Sequence, residues 1–272
     1  MSKPPCRGKI NKMTPKLSII TVNFNNKDGL IRTAESVVAQ TWGDYEWIII
    51  DGGSTDGSVG VIREYIDKST KLAYWCSEKD GGVYSGMNKG IAKASGEYCY
   101  FLNSGDYLRE PASLERVFAV DFDEDIVYGD MMLEREGGRC VARKFKDNIR
   151  PSGLLYGILP HQNMLIKTKI LTATNGYRTD LKIVSDWAHY TAAICRDHVS
   201  YRHVPLVLAI NQGGGMSNDA KCWHIQKAER KAVIKEIFPA WKRAIYFFTM
   251  ASLKSKIDKI RYRLEKYRII GG

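Results

Sequence analysis

Three aspartates in the first 110 residues sit at the ends of apolar runs, each beside small turn residues. Asp51 closes the run EWIII and is followed by Gly52 and Gly53, with Gly57 just beyond. Asp80 precedes Gly81 and Gly82, and Asp106 ends the group Asn103-Ser104-Gly105-Asp106 after EYCYFL. Glycines permit tight turns and close approach of a ligand to the backbone. Any one of these motifs is ordinary turn chemistry. Three in succession bring three acids to one place, where a nucleotide would lie, and Asp51 is expected to point into that space. Carboxylates beside a nucleoside diphosphate are tolerable only with Mg²⁺ or Mn²⁺ between them, or at the sugar and base.

The elements that must position these acids follow from hydrophobic pattern. LSIITVNF at 17–24 is short, apolar and rich in branched residues, so it predicts a buried strand. A helix over 29–40, a strand over 46–50 and a helix near 57–67 follow. LAYWCS predicts a third strand, GVYSGMNKGIAKAS a third helix, and EYCYFLNSGDYL a fourth strand. Alternation of this kind predicts an α/β fold with a mostly parallel sheet, whose ligand site lies at the C-terminal strand ends. After residue 120 the pattern changes. DIVYGDMML and GRCVARKF flank a Glu-Gly-Gly turn and predict a hairpin. NMLIKT predicts a strand, 185–196 a helix, YRHVPLVLAI one further strand, and the chain from Cys222 a helix interrupted at Pro239.

Composition narrows the classes. A hydrophobic share of 44% and a charged share of 26% are those of a soluble globular protein. The basic start at 1–15 predicts a flexible arm without the apolar core of a signal peptide. No apolar run is long enough to span a membrane. The six cysteines form no C-x-x-C pair and no zinc spacing, so they read as reduced thiols of a cytoplasmic protein. The net charge of +11 is concentrated at the end: residues 240–272 hold nine Lys or Arg against two acids. The tail, not the core, therefore expects an anionic partner, and nucleic acid is not the expected one, since no nucleic-acid module is recognisable.

The segments LSIITVNFNN, IIIDGGSTDGS and SEKDGGVYSGMNKGIAKASGEYCYFLNSGDYL together resemble the N-terminal half of family 2 glycosyltransferases of the GT-A fold, of the kind found in bacterial capsule, exopolysaccharide and O-antigen biosynthesis. The resemblance is strong over 16–110 and weaker to 218. It implies a Rossmann-like mixed sheet flanked by helices, in a GT-A domain over 16–218. That domain divides into a nucleotide-sugar-binding half at 16–110 and an acceptor-binding half at 111–218, followed by a basic helical extension at 219–272. It implies a nucleotide-sugar donor, a UDP-sugar foremost, and a glycan or polyprenyl-diphosphate-linked acceptor. On the donor side it implies Thr21, Asn23, Asp51, Asp80, Asn88, Lys89, Asn103 and Ser104. Most relatives have a D-x-D metal motif where this chain has Asn103-Ser104-Gly105-Asp106. Only Asp106 keeps a carboxylate, so Asp106 is the expected ligand of Mg²⁺ or Mn²⁺, with the diphosphate completing the site. Tyr84-Ser85-Gly86 stands where many relatives have Tyr-Asp-Ala.

Transfer to a hydroxyl needs a base to take its proton. Asp186, in KIVSDWAHY at a helix start, looks like the family's base, and one base without a separate nucleophile implies inversion. Pro160-His161-Gln162 resembles a loop that reaches the site. Gly213, Gly214 and Gly215 can turn backbone N–H groups toward phosphate or acceptor. They lack the Gly-Lys-Ser/Thr of a P-loop, which disfavours ATPase chemistry. The polar loop Asn23-Phe24-Asn25-Asn26 disfavours a nucleotidyltransferase, and a non-catalytic nucleotide-sugar or glycan binder on the same fold is the alternative. In the tail, Trp241, Ile245, Phe248, Ile257, Ile260 and Leu264 recur at helical spacing among basic residues over 240–269. That pattern predicts a helix in a membrane interface, peripheral at the inner face of the plasma membrane.

Overall fold

A computed structural model describes residues 14–147, 149–213, 220–246 and 248–249. The first half is the predicted alternation: β1 (Leu17–Asn23), α1 (Lys27–Val38), β2 (Tyr45–Asp51), α2 (Ser58–Lys68), β3 (Leu72–Ser77), α3 (Val83–Ile91) and β4 (Tyr98–Phe101). Short elements follow: β5 (Tyr107–Leu108), α4 (Ser113–Phe118), β6 (Ile126–Tyr128), β7 (Met131–Glu134) and β8 (Cys140–Arg143). The chain then forms β9 (Met164–Lys167), α5 (Thr168–Ala173), α6 (Ser185–Cys195), β10 (Tyr201–His203), β11 (Ala209–Gln212) and α7 (Trp223–Ile237).

The large sheet has the order β10-β6-β9-β4-β1-β2-β3. β4, β1, β2 and β3 run parallel, and β9 is antiparallel to both β4 and β6. Every residue of β1 and β2 is buried, as a sheet covered on both faces requires. Alternate residues go to opposite cores. Ile20, Val22, Ile48 and Ile50 join one, and Leu17, Ile19, Trp47 and Ile49 the other. This mixed sheet between helices is the GT-A architecture expected.

Three expectations are corrected. The segment 125–133 is two strands: β6 joins the large sheet and only β7 pairs with β8. The break falls at Gly129, where a Cβ would lie 2.3 Å from the Leu206 carbonyl, so the backbone passes too close for any other residue. The single strand over 201–210 is likewise two, β10 in the large sheet and β11 in a small one ordered β5-β11-β7-β8. Pro205 lies between them and has no N–H for a ladder. The third concerns the C-terminal extension. Helix α7 is part of the domain, because Val233 and Ile234, and Phe238 just after it, are buried in the main core. Glu236 pairs with Arg178 at 2.5 Å, and Glu229 accepts hydrogen bonds from the N–H groups of Lys182, Ile183 and Val184 at 2.7, 3.0 and 3.3 Å. Pro239 ends α7 as expected, and residues 240–246 are helical again.

Candidate active site

The C-terminal ends of β1, β2 and β4 share one edge of the sheet, and the polar motifs gather there. The floor is a buried hydrogen-bond cluster. Asp51 has no exposed surface. Its carboxylate accepts from Asn23 Nδ2 at 2.7 Å, the Ser54 N–H at 2.9 Å, and the Ser54 and Ser77 hydroxyls at 2.6 Å each. Burial works against its charge, but these donors outweigh burial and hold the carboxyl below the usual range. Asp51 therefore does not point into the open space. It ties the ends of β1, β2 and β3 together and shapes the turn at Gly52–Ser54. Thr21 is also committed inward, accepting from Trp47 Nε1 at 3.0 Å. Asn23 is 1% exposed, and its Oδ1 has no partner.

Asp80 stands above this floor, half-buried, and accepts from the Gly82 N–H at 2.9 Å. A Cβ on Gly52 would lie 3.5 Å from both Asp80 carboxylate oxygens, and one on Gly86 would meet Val22 at 2.8 Å and Asp80 at 3.2 Å. The two glycines leave room for the carboxylate over the ends of β1 and β2. Phe24, at the same edge and beside Gly52, is 65% exposed.

The loop at 103–106 is stitched to its neighbours. The Ser104 N–H donates to Val22, and Asn26 Nδ2 donates to the Ser104 carbonyl at 2.9 Å. Gly105 has φ of +104°, a conformation that favours glycine. Asp106 turns inward. It is 8% exposed and accepts from the Gln212 N–H at 2.9 Å. Burial pushes its carboxyl up to about 7. The buried Asn103 Oδ1 is left without a partner. Among the described residues no three His, Cys, Asp or Glu side chains cluster as a metal site. One inward carboxylate and one orphan amide oxygen fit a hard cation only if most of its ligands are diphosphate oxygens and water.

On the other side of α3, Asp186 opens α6, with its side chain 25% exposed. The Tyr84 hydroxyl lies 2.9 Å from its Oδ1. His161 Nδ1 is 3.9 Å from its Oδ2, and His161 Nε2 meets the Tyr177 hydroxyl at 3.1 Å. Burial of His161 outweighs the pull of Asp186 and lowers its pKa, which favours the neutral ring. Asp80 and Asp186 are thus joined through the first turn of α3, by Gly82 and Tyr84.

The model of the family described as glycosyl transferase family 2 matches residues 18–170, more than half of the chain. This chain belongs to glycosyl transferase family 2. An uncharacterised glycosyltransferase of Mycobacterium tuberculosis is 35% identical over 63% of this chain and 66% of its own length. The chain thus spans just under two thirds of that relative. A PGL/p-HBAD biosynthesis glycosyltransferase of Mycobacterium bovis is 27% identical over 75% of this chain and 80% of its own. Among solved structures, S. aureus TarS in complex with UDP-GlcNAc has a TM-score of 0.65 at 18% identity, covering 84% of this chain and 69% of that one. A Pyrobaculum calidifontis mannosyltransferase in complex with GDP-Man and Mn²⁺ has a TM-score of 0.56 at 15% identity, covering 92% and 84%. These likenesses support the same fold.

Within this family 2 chain the expected residues divide into those that face the edge and those that build it. Asp80, Ser104 and Asp186 are at the edge with part of their surface accessible. Thr21, Asn23 and Asp51 lie beneath it. Asn88 is a brace: Nδ2 donates to the Tyr177 carbonyl and Oδ1 accepts the Tyr177 N–H, both at 2.7 Å. Lys89 pairs with Glu78 at 2.9 Å. His161 Nδ1 stops 3.9 Å from Asp186, and the Gln162 carbonyl accepts the Tyr100 hydroxyl. Gly213 donates its N–H to the Glu134 carbonyl at 3.2 Å, and Gly214 and Gly215 lie outside the described residues. The sequence reading missed Phe24 and Tyr84 as site residues. An aromatic residue in an otherwise polar loop was the available signal for Phe24.

Proposed function

We propose that this chain is an inverting glycosyltransferase. It moves a sugar from a nucleotide-diphosphate donor, a UDP-sugar foremost, to a hydroxyl of a glycan or lipid-linked glycan in bacterial surface polysaccharide synthesis. The observation that carries this reading is the pairing of two partly accessible carboxylates, Asp80 and Asp186, across one turn of α3. Asp80 lies where the donor's nucleotide and sugar would rest, beside Phe24, whose exposed ring offers a face for the base to stack on. Asp186 takes the proton from the acceptor hydroxyl. The acceptor oxygen forms its bond to the anomeric carbon as the bond to the diphosphate breaks, and the nucleoside diphosphate leaves with the electron pair. With Asp186 as the one base and no separate nucleophile assigned, a single displacement with inversion is the course this reading implies. A divalent cation would be held by Asp106 and the Asn103 amide oxygen together with the donor, and would neutralise charge on the diphosphate.

Donor binding is tested by melting the protein with UDP, GDP, dTDP and CMP, each with and without Mn²⁺. A nucleotide at 100 times its Kd stabilises by about 2.7 kcal/mol, a rise of several degrees. UDP with Mn²⁺ is expected to give the largest rise. If none of the four moves the midpoint, the donor reading fails.

We also propose that the helix after Pro239 rests on an anionic membrane surface. Trp241, Ile245 and Phe248 are 62%, 53% and 77% exposed, at one-turn spacing, while the Tyr246 ring packs at a tilt against Tyr156 at 5.2 Å and fastens the helix to the domain. The stripe is therefore not used for packing among the described residues. Ile257, Ile260 and Leu264 lie outside them. No helix of the described residues is long and apolar enough to cross a membrane. Sedimentation with anionic liposomes at low salt is expected for the wild type. It should be lost on combined Trp241→Ser, Ile245→Ser and Phe248→Ser substitution, and weakened by salt. A wild-type protein that stays in the supernatant refutes this attachment.

A further inference from the structure

The Tyr84 hydroxyl has one proton and two acceptors within reach. Its oxygen lies 2.7 Å from the Ile183 carbonyl and 2.9 Å from Asp186 Oδ1. Tyr84 is 7% exposed, so bulk water does not compete for that proton. Burial, and next the charge of Asp186, push the phenol pKa far up, so Tyr84 is a donor and not a phenolate. One hydroxyl cannot donate fully to both neighbours. Which one receives the proton depends on the charge of Asp186, because a hydrogen bond to an ionised acceptor is roughly twice as strong as a neutral one.

The other groups around Asp186 do not take this place. His161, from the turn at 161–163, is 3.9 Å away, beyond hydrogen-bond range, and burial favours its neutral form. The Tyr177 hydroxyl is held by His161, and the Tyr190 hydroxyl accepts the Leu159 N–H at 2.9 Å. Arg230 from α7 lies over the Trp187 ring at 4.2 Å and donates to the Leu155 and Gly157 carbonyls. The Ile183 carbonyl is held in place, since the N–H groups of Lys182, Ile183 and Val184 all end on Glu229.

Resting on the reading of Asp186 as the base, we propose that Tyr84 is its positioning residue and a two-position proton donor. Before transfer Asp186 is ionised, and Tyr84 donates to it, fixing the carboxylate toward the acceptor. As Asp186 takes the acceptor's proton it becomes neutral, and the Tyr84 proton turns to the Ile183 carbonyl. No atom is gained or lost at Tyr84, and the rotation reverses when Asp186 releases its proton to solvent. Because Tyr84 lies in the first turn of α3 and Gly82, just ahead of it, donates its N–H to Asp80, the start of this helix sets both the donor-side carboxylate and the base.

The test is Tyr84→Phe, which keeps the ring packed near Tyr177 and removes only the hydroxyl. Turnover is expected to fall about tenfold or more, with KM for the donor within about twofold. The same change in an Asp186→Asn background is expected to cost nothing further, because Tyr84 acts through Asp186. Full turnover in Tyr84→Phe overturns the proposal. So does an equal, additional loss in the double variant, which marks a purely structural role. If Asp186→Asn itself is fully active, it is the base assignment that has failed. If Asp186→Asn is inactive and Tyr84→Phe is normal, only this inference has.

Discussion

Asp186→Asn is expected to keep donor affinity and to slow transfer by about 10²-fold or more. Asparagine preserves the size and the contact to Tyr84 but cannot take a proton. The position is suited to a base: it lies in the first turn of α6, and a quarter of its side chain is accessible to an acceptor. Donor binding measured by thermal shift and transfer measured by product formation separate the two functions. A variant that loses nucleotide binding, or one that keeps its rate, removes Asp186 from this role. The anomeric configuration of the product, read by NMR, is expected to be inverted, and retention would end the single-displacement mechanism.

Asp106→Asn is expected to separate stability from activity. Burial pushes the Asp106 carboxyl up to about 7, against a value near 4 in an unfolded chain. Between these values the folded protein binds more protons than the unfolded one. Its stability therefore falls as pH rises through that window, and the full cost, on the order of 4 kcal/mol, is reached above about pH 7. Asparagine carries no such charge, and its side-chain oxygen can still accept from Gln212. In EDTA at pH 8 the variant is expected to melt several degrees above the parent, and the gap should close as pH falls toward 4. Transfer should drop by about 10²-fold, and stimulation by Mn²⁺ should be lost, since a cation at the diphosphate contributes several kcal/mol to the transition state. Near-normal turnover of the variant, or a parent indifferent to EDTA, takes the cation away from Asp106. Greater stability with less activity is what a residue kept for function shows.

The parallel half of the fold was legible because β1 and β2 are short branched runs and β3 a short aromatic one, each closed by turn residues, and period and punctuation agree. The depth of each polar residue was not. Asp51 and Asp80 look alike in sequence, both followed by two glycines. Only the return of Ser54 and Ser77 onto Asp51 makes one a buried tie, while Asp80 remains accessible. Asn88 reads as a polar face of a helix, and its partner Tyr177 is 89 residues away, a distance that no local pattern reports. Pro205 was visible, but the apolar run continues beyond it, which hid the passage from one sheet to the other. The contribution of α7 was hidden for the same reason as that of Asn88. Glu229 in an amphipathic basic helix looks like a solvated charge until the peptides at 182–184 are seen to end on it.

That last contact gives the protein a definite order of completion. The N–H groups just ahead of Asp186 find their acceptor 45 to 47 residues later in the chain. Synthesis from the N-terminus delivers the parallel strands and Asp80 first, since β1 to β4 and α3 are complete by residue 101. Asp186, the proposed base, stays without this support until Glu229 has left the ribosome. A nascent chain halted between these points holds Asp80 in place while the peptides ahead of Asp186 still lack their acceptor. On the proposed reading, transfer is expected to begin only once α7 has docked on the peptides at 182–184.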